Sequence, residues 1–225
     1  FSSSTVLVVG SGLSCAEGLP GMWELATELI NKIPEKLQEE DQKSWDLIKC
    51  DLLDKSGEIK KSANLEATLS KHPPTDELEL VIREITKNVI KDKEQHVIKK
   101  VVSGQHQLRF SKFIKKFKIP ESGLVIICTN YDRLIEVACE IEDIPVDNLF
   151  YGKNIATLDE KKSRMSFCEK LVRNGRTVKM IFSEKVSIYK PHGCLNWYWF
   201  NNKPISSSFD LDLERLIITP GSNKY

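Results

Sequence analysis

The amino-acid sequence predicts an α/β protein: an open parallel sheet carrying a long, largely helical insertion. Three observations predict it. Apolar runs of strand length recur along the chain, segments of helical periodicity lie between them, and polar motifs cluster where the apolar runs stop. At 225 residues and 40% hydrophobic, the chain can bury a sizeable core, and its length suits one domain with an inserted module.

Residues 4–9 (STVLVV) are a mostly β-branched run that stops at Gly10 and read as a buried parallel strand. Gly10-Ser11-Gly12 is the turn, and helical spacing follows at Trp23, Leu25, Leu29 and Ile30. Residues 33–118 are helical in character. Leu37, Trp45, Leu47, Ile48 and Leu52 suggest one or two helices. A clearer helix begins after Pro73-Pro74: Thr75 or Asp76 can cap it, and Leu78, Val81, Ile82, Ile85, Val89 and Ile90 share a face. The pattern resumes at Val97, Ile98 and Val101, and another helix holds Leu108, Phe113, Ile114 and Phe117. Residues 123–128 (GLVIIC) predict a strand buried on both faces, followed by a helix with Leu134, Ile135, Val137 and Ala138. Between 145 and 185 the pattern is weaker, with a strand near 178–182 and a lysine-rich polar loop at 159–164. The remaining strands are 186–189, 195–200 (LNWYWF) and 216–219. Ligands of such a Rossmann-like open sheet sit at the carboxyl ends of its strands. The sheet would continue past 216–219 and the chain begins at Phe1 without Met, so a fragment of a longer protein is expected, incomplete at the C-terminus.

Composition narrows the function classes. The net charge of +1 argues against a nucleic-acid backbone as the main partner, and Lys60-Lys61, Lys99-Lys100 and Lys115-Lys116 read as solvated helix faces. No apolar run approaches the ~20 residues of a membrane span. No signal peptide is visible, because the apolar run 5–10 is short and leads into a glycine turn. The cysteines at 15, 50, 128, 139, 168 and 194 are scattered, with no Cys-x-x-Cys pair. That fits reduced thiols in a cytoplasmic protein, most of them small buried apolar residues, and argues against a zinc site or a disulfide frame.

Four motifs carry chemistry. In Gly10-Ser11-Gly12-Leu13-Ser14, two glycines after a strand let the backbone approach a diphosphate, whose charge the following helix N-terminus stabilises. The bland alternative is a tight strand-to-helix turn. Gly18-Leu19-Pro20-Gly21-Met22-Trp23 makes a loop able to fold over a ligand, or a plain helix start with Trp23 in the core. In Thr129-Asn130-Tyr131-Asp132, an amide at a strand end can orient a sugar hydroxyl or a water, and a carboxylate two residues on can accept hydroxyl hydrogen bonds or hold the loop; a helix N-cap explains the same residues. His192-Gly193 offers a proton-transfer group beside a glycine that admits a ligand, or a hydrogen-bonded structural histidine.

Together, in this order, these segments resemble the Sir2 family: GSGLS for its GAGxS-like turn, GLP for its G-x-P loop, CTNYD for its TQNxD-like motif, and HG within KPHG. TNYDRLIE and KPHGCLNW are similar to divergent bacterial SIR2-like domains that degrade NAD+ in antiphage defence. The resemblance touches some 35 residues between 6 and 199; residues 33–118 resemble no known module. It implies that Gly10, Ser11, Gly12, Leu13 and Ser14 hold the NAD+ diphosphate, with Pro20 in the loop beside them. It implies that Asn130, with Thr129 where the family has Gln, holds the nicotinamide ribose or the attacking water. Asp132 would shape the nicotinamide pocket, and His192, followed by Gly193, would act as general base. The four zinc cysteines of deacetylases are missing, Cys194 alone remaining, so the resemblance implies no metal and favours NAD+ hydrolysis over deacylation. It also implies a homo-oligomer fired by a sensor domain or a phage-derived activator, and the helical segment is expected to serve packing or gating.

Two other readings stay open: a protein deacylase or ADP-ribosyltransferase, with peptide-dependent turnover, and a non-catalytic NAD sensor or scaffold. A nicotinamide or flavin oxidoreductase fails, because Cys15 stands where a third glycine belongs and no strand-end acid follows about 20 residues on.

Overall fold

The computed structural model describes residues 5–117, 119 and 123–219. Val6–Val9 (β1) leads into a single helical turn, Ser11–Cys15 (α1), then Met22–Lys32 (α2), Gln42–Leu52 (α3), Leu65–Lys71 (α4), Asp76–Val102 (α5) and Arg109–Lys116 (α6). Leu124–Cys128 (β2) and Leu134–Ile141 (α7) follow. Next come Val146–Asp147 (β3), Phe150–Tyr151 (β4), Ile155–Leu158 (β5), Glu160–Ser166 (α8), Cys168–Asn174 (β6) and Thr177–Phe182 (β7). The chain closes with Val186–Tyr189 (β8), Gly193–Phe200 (β9), Lys203–Ser207 (β10) and Arg215–Ile217 (β11). Thr75 caps α5, its hydroxyl accepting from the Leu78 N–H at 3.4 Å. Asn64 caps α4, accepting from Ala67 N–H at 3.1 Å.

The fold is mixed α/β. Its first sheet is parallel throughout, in the order β1-β2-β8-β3. The register sets Val9 beside Cys128 and Ile127 beside Tyr189, so β1, β2 and β8 end side by side. The second sheet is antiparallel, β11-β9-β10-β5-β4, and β6 with β7 forms a separate exposed hairpin. Cys194 and Leu195 of β9 and Ile217 of β11 are buried, and the two leucine-type side chains enter the core against which the parallel sheet packs.

Two apolar cores result. One joins the parallel sheet to α6, α7 and the end of α5; the other joins α2, α3, α4 and the start of α5. The segment expected at 33–118, described to residue 117, is thus divided: α6 and the second half of α5 pack with the sheet, and α3, α4 and the first half of α5 pack with α2.

Several expectations need correction. Among the described residues β1 is an edge strand rather than a buried one: it pairs with β2 alone, turns Leu7 and Val9 inward and leaves Val8 75% exposed (Ser4 lies outside the described residues). β2 is buried on one face only, with Leu124, Ile126 and Cys128 inside and Ile127 outside. The segment at 216–219 does not continue the parallel sheet, since β11 pairs antiparallel with β9. The lysine-rich stretch at 159–164 is helical: Asp159 caps α8 by accepting from Lys162 N–H at 2.9 Å, and with Ser163 its one buried residue the helix shows no apolar period. Cys128, Cys139 and Cys194 are buried, but Cys15 and Cys50 are exposed. Burial pushes the Cys139 and Cys194 thiols up to about 12. Among the described residues no helix is long and apolar enough to cross a membrane.

Candidate functional site

Three loops leave the parallel sheet at its carboxyl end: Gly10 after β1, Thr129 after β2 and Lys190 after β8. The first two are stitched directly, the Thr129 N–H donating to Val9 O at 3.0 Å. Ser14, buried in α1, links them further. Its hydroxyl donates to Asp132 Oδ2 at 2.6 Å and accepts from Asn130 Nδ2 at 2.7 Å. The same Asn130 amide donates to Gly10 O at 2.9 Å. Asp132 Oδ1 accepts the Leu134 N–H at 3.1 Å, an Asx-type turn that starts α7. Asp132 therefore both accepts a hydroxyl and holds its loop. Both Asn130 donors are spent on the glycine turn, which leaves its Oδ1 as the atom able to receive a hydrogen bond from outside.

A buried lysine braces the turn from below. Lys190 Nζ donates to the carbonyls of Asn130, at 3.3 Å, and of Asp132, and pairs with Glu136 Oε1 at 3.2 Å. Burial works against its charge, but the surrounding acids, Glu136 and Asp132 among them, outweigh it and hold the ammonium protonated above its ordinary range. Burial pushes the Glu136 carboxyl up, against the pull of Lys190. Tyr131 is tied to the antiparallel sheet: its buried phenol donates to Ile218 O, and Leu195 N–H donates to Tyr131 O at 2.9 Å. The antiparallel sheet thus clamps the middle of the Thr129–Asp132 turn.

Above these loops lies a cleft of about 180 Å³. Ser11, Ser14, Pro20, Thr129, Asn130, Asp132 and His192 line it, all of them singled out from the sequence. His192 is half-buried, and its ring makes no hydrogen bond among the described residues; its backbone carbonyl accepts from Ile218 N–H at 3.0 Å. The Gly18–Trp23 segment does border the cleft, through Leu19, Pro20, Gly21 and Met22, while Trp23 is 47% exposed rather than core. Gly10, Gly12 and Leu13 line a groove on the other side of the turn with Arg109, Phe110 and Phe113. Gly193 lines neither. Its φ of +83° is left-handed, and a Cβ there would collide with the Leu216 carbonyl, so packing against β11 demands this glycine.

The cleft also holds residues that sequence reasoning passed over. Tyr131 and Leu25 line it, as do Ile90 of α5 and Glu66 of α4, which come from the helical segment. Glu66 sits two residues after the cap Asn64, in the first turn of α4, which reads as ordinary first-turn chemistry; no pattern in the sequence aims it at the strand ends. Lys190 was visible as a charge at the end of an apolar strand, a signal for a buried pair. Among the described residues no group of three or more His, Cys, Asp or Glu side chains is placed to hold a metal ion. No family model matches the chain, and no curated protein matches it.

Proposed function

We propose that the cleft binds NAD+ and hydrolyses its nicotinamide–ribose bond, and that the chain is the effector part of a Sir2-like, NAD-depleting antiphage protein acting in the cytoplasm as an oligomer. One observation carries the reading: segments scattered from residue 11 to residue 192 meet around one cleft, with Asn130 and His192 both lining it. The chemistry suits the residues. The C1′–N1 bond breaks and its electron pair leaves with nicotinamide, whose ring becomes neutral. Water adds to C1′ of the ribosyl cation and gives up a proton, so the products are nicotinamide, ADP-ribose and H+. Asn130 Oδ1 orients the water or a ribose hydroxyl, and His192 takes the proton. At about 180 Å³ the cleft is smaller than the roughly 300–1,000 Å³ of pockets that enclose drug-sized ligands, so it suits one end of an extended dinucleotide.

The test is NAD+ turnover with product identification on the full-length protein, comparing wild type with Asn130→Ala and His192→Ala. Loss of nicotinamide release in both variants supports the hydrolase. A non-catalytic NAD sensor is the second reading, favoured by the internal use of both Asn130 donors. Binding of NAD+ without turnover in wild type decides for it.

Gly12 separates ligand space from folding. A Cβ there would meet no protein atom within 4 Å. Alanine in a helical position is stabilising by about 0.5–1 kcal/mol over glycine. Gly12→Ala should therefore keep or raise the thermal midpoint while KM for NAD+ rises about tenfold, a loss of roughly 1.4 kcal/mol of binding. An unchanged KM would remove the turn from the NAD+ site.

A further inference from the structure

Glu66 is the cleft residue whose chemistry the reading so far leaves unused. It sits in the first turn of α4, where an acid complements the helix dipole and needs no further explanation. Its location adds something. α4 packs on α2, and α2 follows directly from the loop that borders the cleft, so Glu66 comes to line the same cavity as Asn130, Asp132 and His192. Its charge is felt there: burial first, and then the Glu66 carboxylate, push the Tyr131 phenol up.

The cleft is lined by two acids, and they differ in burial. Asp132 is buried and spends one oxygen on the Ser14 hydroxyl and the other on the Leu134 N–H. Glu66 is exposed and lines the cavity from α4. The rest of the lining is apolar or neutral apart from His192: Leu19, Pro20, Met22, Leu25 and Ile90 make a wall that lowers the local dielectric. A carboxylate facing such a space acts most strongly on positive charge. Glycoside-bond cleavage generates that charge on the sugar ring, and enzymes that perform it oppose it with carboxylates.

We propose that Glu66 faces the ribosyl cation that forms as nicotinamide departs and stabilises it, so that the helical segment supplies part of the active site. The inference rests on the hydrolase reading. In the step itself the C1′–N1 electrons go to nicotinamide, and the positive charge shifts from the pyridinium ring to C1′ and the ring oxygen. Glu66 neither gains nor loses a proton. Its contribution grows as the charge moves onto the sugar, which makes it an effect on kcat rather than on binding.

The experiment measures kcat and KM for nicotinamide release from NAD+ by the full-length protein, with wild type, Glu66→Gln and Glu66→Asp, and the thermal midpoint of each. Glu66→Gln keeps shape and removes charge; its kcat is expected to fall about 10²–10³-fold, the loss typical of removing one electrostatic stabiliser. KM and the thermal midpoint should stay near wild type. Glu66→Asp, which keeps the charge, should retain more activity than Glu66→Gln. An active wild type with Glu66→Gln equally fast overturns the role of Glu66 and leaves the hydrolase standing. A raised KM with unchanged kcat overturns it in favour of simple substrate binding, and equal losses in the two variants overturn it in favour of a structural part. No nicotinamide release by wild type overturns the hydrolase reading and this inference with it.

Discussion

Alanine at His192 is expected to slow nicotinamide release by about 10²–10⁴-fold, the range for loss of a positioned general base, with the thermal midpoint nearly unchanged. The expectation of a clean result comes from the wiring of the residue. Its ring lines the cleft and bonds to nothing among the described residues, while the part of His192 that holds the fold is its backbone carbonyl, which alanine keeps. Asn130→Ala is a less discriminating test. It removes two internal hydrogen bonds, to Gly10 O and Ser14 Oγ; the Gly10 carbonyl keeps the Leu13 N–H and the Ser14 hydroxyl keeps Asp132, so the cost is that of the bonds themselves, about 0.5–1.5 kcal/mol of stability each. Loss of activity there mixes chemistry with a loosened turn. Steady-state rates at saturating NAD+, read beside a melting curve, separate the two; a His192→Ala variant as fast as wild type would end the general-base assignment.

Lys190→Met should be the most destabilising single change in the site. It leaves the Glu136 carboxylate buried without its cation and takes the donor from the carbonyls of Asn130 and Asp132. Breaking a buried pair in this way costs about 3–5 kcal/mol. For a chain of this size that is a fall of roughly 6–20 °C in thermal midpoint. Adding Glu136→Gln removes the stranded charge and should recover part of the loss, so a double-mutant cycle would show coupling between the two positions. Additive losses would mean the pair contributes little. The sign of the pH dependence follows as well. The fold raises the Lys190 pKa, so its contribution is complete below the ordinary lysine value, about 10.4, and is lost as pH climbs beyond it.

What the sequence disclosed about this fold follows burial. β2 and β8 are uninterrupted or alternating apolar runs, and α5 has both a capping threonine and a full apolar face, so each is visible in isolation. The antiparallel sheet is visible only in part: the runs at 195–200 and 216–219 predict β9 and β11, but not β4, β5 or β10 and not the pairing. β10 is a short polar-ended strand, and the turn before it, Asn201-Asn202 with φ of 49° and 56°, is a two-residue hairpin signal that stands between unlike flanks. β6 is exposed along nearly all of its length and carries no buried stripe to detect, while its partner β7 matches the strand expected near 178–182. Within the site, residues contributed by strand-end loops were legible because glycine, asparagine and histidine interrupt apolar runs there. Glu66 was not, because its relation to the cleft depends on how α4 docks on α2, which no local spacing encodes.

The 27-residue helix α5 spans about 40 Å, and its consequence is one of cooperativity. Leu78, Ile82, Ile85 and Val89 belong to the helical core, while Ile90 and Val97 belong to the core of the sheet. A single hydrogen-bonded rod is therefore embedded in both. Neither core can melt without exposing half of that rod, so the amide protons along its middle should exchange together, and only in openings close to global unfolding. Any widening of the cleft that keeps α5 intact has to slide helices over a fixed axle rather than swing one core on a linker.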